Sequence, residues 1–439
     1  MANLIERLAL HRPELRAWAC YDLANSAFIT VVITAVFPIF FARMVAADMV
    51  EATATRWFGW ASSISLAAIA LLSPILGAFA DHAPVKKRFL AAFMLLGVAA
   101  TAALAFTGRG DITLALVLFG LGQIGATGSF VFYDSLLPHV AREDEVDRVS
   151  TAGYALGYLG GGVVLALLLP LTLKPALFGL ADGAAASRVG FALVAVWWLV
   201  FSIPLFRVVS EPPLTLDRER PRGLRLIGAS FAGLGATFRE LRRFRHATVL
   251  LVAFLIYNDG VGTIIKMAVI YGAELGLSTP HMITAVLITQ FIGIPFTFLF
   301  GQLADRLGTK ASIYAGLVVY CAVAILGYFM TTALHFYLLA VLVGMVQGGV
   351  QALSRSLFST MIPRARSSEM FALFGVFEKF AGIFGPAVFV GIQALTGSSR
   401  NGILSVVGFF LVGGAILAFV DVNEGRRAAR AANAEPAAT

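Results

Sequence analysis

Gln347, Gln351 and Arg355 recur at steps of four inside the apolar run 333–362, so one helical face carries all three. Arginine keeps its proton, so Arg355 must meet a carboxylate, either the protein's own or a solute's. Its planar fork suits a carboxylate held by two hydrogen bonds. Asp22, Asn25 and Ser26 share a face near the start of the first apolar run. Burial and neighbouring acids govern when a carboxylate takes up a proton, which makes Asp22 a candidate proton carrier or a partner for Arg355. Asn258, Asp259 and Lys266 follow in the seventh run, with Asp259 and Lys266 on one face and Thr263 between them. Two opposite charges in one cavity suit the ends of a zwitterion; equally, they could neutralise charges on other helices. Glu378 and Lys379 are neighbours, about 100° apart around a helix, so only one points straight into a path. Lys379 aligns with Gly375 and Gly382 and is the preferred cavity residue; Glu378 shares a face with Phe371 and Phe374. Gln123, Thr127, Phe130 and Asp134 make a second polar stripe, and Gln290 near Gly293 and Thr297 adds a secondary candidate. Asp134 lies near the end of its run, where a gating salt bridge is a better fit than solute contact.

Polar groups in hydrocarbon are costly and normally face a protein-lined cavity. The elements that carry them are hydrocarbon-compatible: the 439 residues are 59% hydrophobic and only 13% charged, where soluble domains carry about 25% charge. Twelve apolar spans are predicted, at 16–42, 55–80, 88–107, 111–138, 149–173, 188–207, 246–273, 280–304, 309–331, 333–362, 367–396 and 401–421. Each is long enough to cross about 30 Å of hydrocarbon as a helix. The reading is an all-α polytopic membrane protein. Cys20 and Cys321 both fall in apolar runs, so no disulfide is expected. The six histidines sit at span ends or in loops without metal-ligand spacing. No phosphate-binding loop or nucleophile elbow is visible, so neither an enzyme nor an ATP-driven pump is expected. No cofactor is expected beyond a coupling proton.

Lysine and arginine set the orientation. With both termini on one side, that side carries 24 of the 33 basic residues, the opposite loops carry six, and Lys266, Arg355 and Lys379 lie within spans. The bias places both termini in the cytoplasm and explains the net charge of +8 without nucleic acid. The chain divides into a first six-helix half at 1–207, a cytoplasmic linker at 208–245, a second six-helix half at 246–421 and a cytoplasmic tail at 422–439. The halves repeat. Gly77-Ala78-Phe79-Ala80-Asp81 returns as Gly301-Gln302-Leu303-Ala304-Asp305-Arg306 at an offset of 224, and Leu136-Leu137-Pro138 as Met361-Ile362-Pro363 at 225. Parallel repeats predict a solute site at their interface, near the midplane. Gly153, Gly157 and Gly161 at steps of four predict a close-packing helix surface.

The two loop motifs, Gly77 to Arg88 and Gly301 to Lys310, resemble the signature of the major facilitator superfamily. The first copy is degraded, with His82 and Pro84 in place of usual residues. Three further segments resemble the branch of autophagy-related vacuolar amino-acid effluxers and their bacterial relatives. They are Tyr21-Asp22-Leu23-Ala24-Asn25-Ser26-Ala27-Phe28, Gln347 through Ser356, and Phe374-Gly375-Val376-Phe377-Glu378-Lys379-Phe380 with Gly385-Pro386. The resemblance implies the major facilitator fold, two pseudo-symmetric halves and a cytoplasmic lock in which Asp81, Asp305 and Arg306 take part.

The expected function is secondary transport of a small polar solute by alternating access. An amino acid or related zwitterion is the expected solute, with efflux as the direction and a proton as the coupling ion. The chain is expected to act as a monomer in a bacterial inner membrane. Export of amphipathic drugs or lipids is an alternative, and a non-transporting scaffold or receptor on the same fold is another. The scaffold predicts no cavity between the halves.

Overall fold

The computed structural model describes residues 5–6, 8–81, 84–212, 243–274, 276–277, 279–381 and 384–434, without the side chains of 51, 52, 55, 269, 270, 273, 274, 279, 280, 283, 379 and 380. Most of the linker and the side chain of Lys379 therefore lie outside the described residues. The first half comprises α1 (Pro13–Val45), α2 (Glu51–Asp81), α3 (Lys86–Leu104), α4 (Ile112–Val140), α5 (Val146–Leu173) and α6 (Gly183–Val208). The second comprises α7 (Arg245–Glu274), α8 (Thr279–Leu307), α9 (Thr309–Tyr328), α10 (Ala333–Thr360), the pair α11 (Ser367–Phe380) and α12 (Phe384–Thr396), and α13 (Ser399–Ala418). A polar helix α14 (Val422–Ala434) follows.

Among the described residues eleven helices are long and apolar enough to cross a bilayer. The run expected to be one helix at 367–396 is instead broken. Ala381 leaves α11 in an extended conformation, ψ 131°. Pro386 sits in the first turn of α12, where its missing N–H does no harm; further inside a helix its ring would clash with the preceding turn. The first helix is also irregular. Its turns widen over Phe28–Val36 and Phe41–Val45, and the β-branched run from Ile29 to Thr34 crowds an ordinary helical turn there. Exposed mid-helix side chains such as Leu71, Val318 and Leu411 form the lipid-facing surface of a membrane protein.

One buried apolar cluster spans Ala9 to Val209 and takes in Ala372; a second runs from Phe244 to Val420. Across the join, α2 packs on α11, and α8 packs on α5. Those two pairings exchange under the repeat that relates α2 to α8. Both described chain ends lie on one face, here the terminal face. Arg12 of α1's entry pairs with Glu145, and Arg430 of α14 pairs with Glu143 through Nε at 2.9 Å. Glu143 and Glu145 belong to the α4–α5 turn, so α14 reaches from the second half to the first. Arg364 N–H also donates to Asn433 Oδ1 at 2.9 Å.

The glycine surface of α5 meets α1 in matched steps of four. A side chain at Gly153 would run into Asp22 and Trp18, at Gly157 into Ser26, and at Gly161 into Thr30. Gly160 lies against the Leu23 backbone, with its notional Cβ 3.0 Å from Leu23 Cα. Backbone cannot swing aside, so Gly160→Ala should destabilise by about 1–3 kcal/mol. Gly391, with nothing within 4 Å, should accept alanine. Thermal unfolding of the two variants in detergent checks the contrast; equal midpoints would contradict the close approach.

Candidate functional site

Arg355 lies on α10 of the second half, yet the groups that hold it belong to the first. Its side chain is 1% exposed. Nε donates to Ser150 Oγ at 2.9 Å and Nη2 to the Ser150 carbonyl at 3.0 Å. Nη1 donates to Asp134 Oδ1 at 2.9 Å, and both terminal nitrogens reach Asp22 Oδ2, at 3.3 and 3.4 Å. The rings of Tyr154, Trp18 and Tyr133 face the guanidinium at 4.4, 5.0 and 5.7 Å. A ring face is electron-rich and attracts a cation. Tyr133 donates to Asp22 Oδ2 at 3.1 Å, and Ser150 donates to the Ala352 carbonyl at 2.7 Å. Three helices of the first half, α1, α4 and α5, thus close around one side chain of the second. Gly153 makes room for this, since a Cβ there would sit 2.7 Å from Asp22 Oδ2 and 3.1 Å from Arg355 Nη2.

On the side of this cluster away from the terminal face lies a cavity of about 430 Å³, within the range of small-molecule sites. Asp22, Asp134, Arg355 and Glu378 line its floor, with Gln347, Gln351, Gln290, Ser26 and Thr30 around them. Towards the far face the wall turns apolar, with Ile264, Met267, Tyr271, Met282 and Phe336. Gln351 Nε2 donates to Asn258 Oδ1, and Gln290 Nε2 bonds Thr30 Oγ1 across the halves at 2.8 Å.

On the terminal side the halves are joined. Asp81, at the end of α2, accepts the backbone N–H groups of Ser368 and Glu369 at 3.1 and 2.8 Å. These are the otherwise unpaired donors of α11's first turn, where a carboxylate is favourable. Lys86 completes the group, 2.8 Å from Asp81 and 2.6 Å from Ser367 Oγ. At the repeat-related position Asp305 faces Arg148 of α5 at 3.4 Å, and Asp147 accepts from Ser356 at 2.5 Å and Thr309 at 2.6 Å.

Several residues picked from sequence lie elsewhere than expected. Asn25 is fully buried and donates to Ala126 O and Ser129 Oγ of α4, outside the cavity wall. Gln123 bonds Ser62 inside the first half. Asn258 is set behind Gln351. Asp259 accepts the N–H of Gly385 at 2.9 Å, capping α12 beyond the break that the sequence did not predict. Lys266 is exposed on α7 but is not part of the cavity wall. Glu378, ranked below Lys379, does line the cavity, as does Phe374 one turn before it. Phe374 stacks on Phe254 at 4.6 Å, which fixes the rotation of α11. Arg306 is exposed, and the cation opposite Asp305 is Arg148 from the facing helix. Trp18, Ser150 and Tyr154 escaped sequence reading. Trp18 stands four residues before Asp22, and Tyr154 four after Ser150; those spacings were the available signal.

The family model described as vacuole effluxer Atg22 like matches residues 10–430. The chain is similar to the uncharacterized MFS-type transporter YxiO of Bacillus subtilis (strain 168), 38% identical over 412 residues, covering 92% of this chain and 94% of that protein. It is also similar to autophagy-related protein 22 of Yarrowia lipolytica, 29% identical over 316 residues, covering 64% of this chain and 51% of that protein. The chain thus spans about half the length of that fungal relative. Among solved structures it resembles the major facilitator transporter FucP in the outward conformation, with a TM-score of 0.69 at 14% identity over 93% of this chain and 98% of that one. It also resembles the proton:xylose symporter XylE, with a TM-score of 0.70 at 15% identity over 93% and 95%. At such identities these likenesses establish the fold.

Asp81→Ala should remove two hydrogen bonds and an ion pair between or beside the halves. Bonds to charged groups contribute about 1.5–3 kcal/mol each, so the unfolding midpoint should fall. Cysteine substituted for Ser368, which is fully buried, should become reactive to a water-soluble thiol reagent in the Asp81→Ala background. Unchanged labelling would mean that the terminal face stays closed without this contact.

Proposed function

The chain belongs to the Atg22-like family of major facilitator transporters, and from that premise we propose that it exports a small polar solute, an amino acid or related zwitterion, by proton-coupled alternating access. As an integral membrane transporter of this superfamily it is not an enzyme. The observation that carries the proposal is Arg355 of one half held by Asp22 and Asp134 of the other, at the floor of a cavity between them. Opening the terminal side requires this cluster to part, together with the Asp81 and Asp305 contacts behind it. Two carboxylates face one guanidinium, so a proton or a cationic solute group balances the cluster. Uptake of a proton from the far side weakens the hold on Arg355, the solute's cation takes that proton's place once the terminal side is open, and that differential interaction is what shifts a two-state equilibrium. The 24-to-6 distribution of basic residues supports cytoplasmic termini, and with them a cavity that faces the outer side of a bacterial plasma membrane. The cavity is complete within one chain, which supports a monomer. Its presence between the halves speaks against a scaffold. The apolar upper wall favours solutes with an apolar body and keeps amphipathic export as a second reading.

Proteoliposomes carrying the purified protein test this. Flux of a labelled amino-acid mixture should rise at least severalfold when a pH gradient is imposed. Asp134→Asn should keep residual exchange but lose the response to the gradient. Flux that ignores the gradient in the unaltered protein would sink proton coupling; absence of any flux would sink the transport reading for these solutes.

A further inference from the structure

We propose that the cavity recognises its solute through a protonated amine seated on Asp22 and Asp134, with an apolar body above it, and that Arg355 reads no solute carboxylate. This deepens the transporter reading above and rests on it.

A guanidinium has five N–H donors. In Arg355 all five are spent on the first half, through the two bonds to Ser150, the one to Asp134 and the two to Asp22. The ring faces of Trp18 and Tyr154 cover it as well. It reaches the cavity floor with every N–H already spent, so none is left for an incoming anion. The neutral donors are also partly committed, since the amide of Gln351 donates to Asn258 and that of Gln290 to Thr30.

The acceptors show the opposite. The three hydrogen bonds that reach Asp22 all fall on Oδ2, and the bond that reaches Asp134 falls on Oδ1. A carboxylate offers about four acceptor sites over its two oxygens. Asp22 Oδ1 and Asp134 Oδ2 therefore retain acceptor capacity on side chains that line the cavity, beside the carboxylate of Glu378. Such a floor asks for a donor of positive charge, and an ammonium supplies three N–H donors on a compact cation. Above it, Ile264, Met267, Tyr271, Met282 and Phe336 offer aliphatic and aromatic surface to the rest of the molecule. An amino acid then enters ammonium first, with its carboxylate left towards Gln347. An amine lacking a carboxylate should bind comparably, and an N-acylated amino acid should not.

The test is thermal unfolding of the full chain in detergent at pH 7 with 2-phenylethylamine, phenylalanine or N-acetylphenylalanine at equal concentrations. Binding to the folded state raises the midpoint by mass action. 2-Phenylethylamine and phenylalanine should both raise it, and N-acetylphenylalanine should bind at least tenfold more weakly. Asp134→Asn should weaken the response to 2-phenylethylamine about tenfold, Asp22 remaining. Should that variant not fold, Glu378→Gln should weaken the same response. A shift from N-acetylphenylalanine matching that of phenylalanine, with 2-phenylethylamine silent, would overturn the assignment in favour of carboxylate recognition. Silence from all three would overturn it too. The transport reading fails separately, only if the proteoliposomes also carry no flux.

Discussion

A buried guanidinium cannot shed its charge, and the structure is arranged around that constraint. Taking Arg355 out of water costs several kcal/mol, recovered only when every donor is met and the charge is balanced. The helix that carries it cannot meet those needs. The acids come from α1 and α4, the hydroxyl and carbonyl from α5, and the ring faces from all three. The charge of one half is thereby stable only while the other half is docked. Glycines at 153, 157 and 160 let α5 approach α1 closely enough for the ring of partners to close.

The repeat between the halves is put to unequal use. Asp81 and Asp305 occupy equivalent helix ends, but Asp81 is buried on two backbone N–H groups and a lysine, while Asp305 meets Arg148 at a partly exposed edge. At the floor of the cavity the asymmetry is greater. The α4 stripe ends in an acid and the equivalent α10 stripe in an arginine, so the two repeats are complementary and pair with each other.

The fold was legible because its evidence is periodic and redundant. Long apolar runs, a repeated loop motif and a charge bias between faces each point to the same architecture, and eleven spans formed as expected. The twelfth did not, because length and hydropathy do not register a proline in the first turn of a second segment, and the cap that Asp259 supplies to α12 is a contact distant in sequence. In the site, Arg355, Asp22 and Asp134 were visible as charges in apolar runs. Their mutual pairing was left open, since a helical wheel gives a face but not what faces it. Asn25 and Gln123 mark the same limit: both are polar and both lie on the expected stripes, yet each spends its amide N–H within its own half. Trp18, Ser150 and Tyr154 are ordinary residues until Arg355 lies between them.

The contacts that close the terminal face differ in how water reaches them. Arg430 and Glu143 are 63% and 46% exposed, and such a pair contributes little and fades as salt screens it. Asp81, Lys86 and Arg355 are almost wholly shielded, and salt hardly reaches them. The closure is therefore graded from a rim that ionic strength softens to a core that it does not. At high ionic strength the tie from α14 to the first half would loosen first, while the passage behind it stayed sealed.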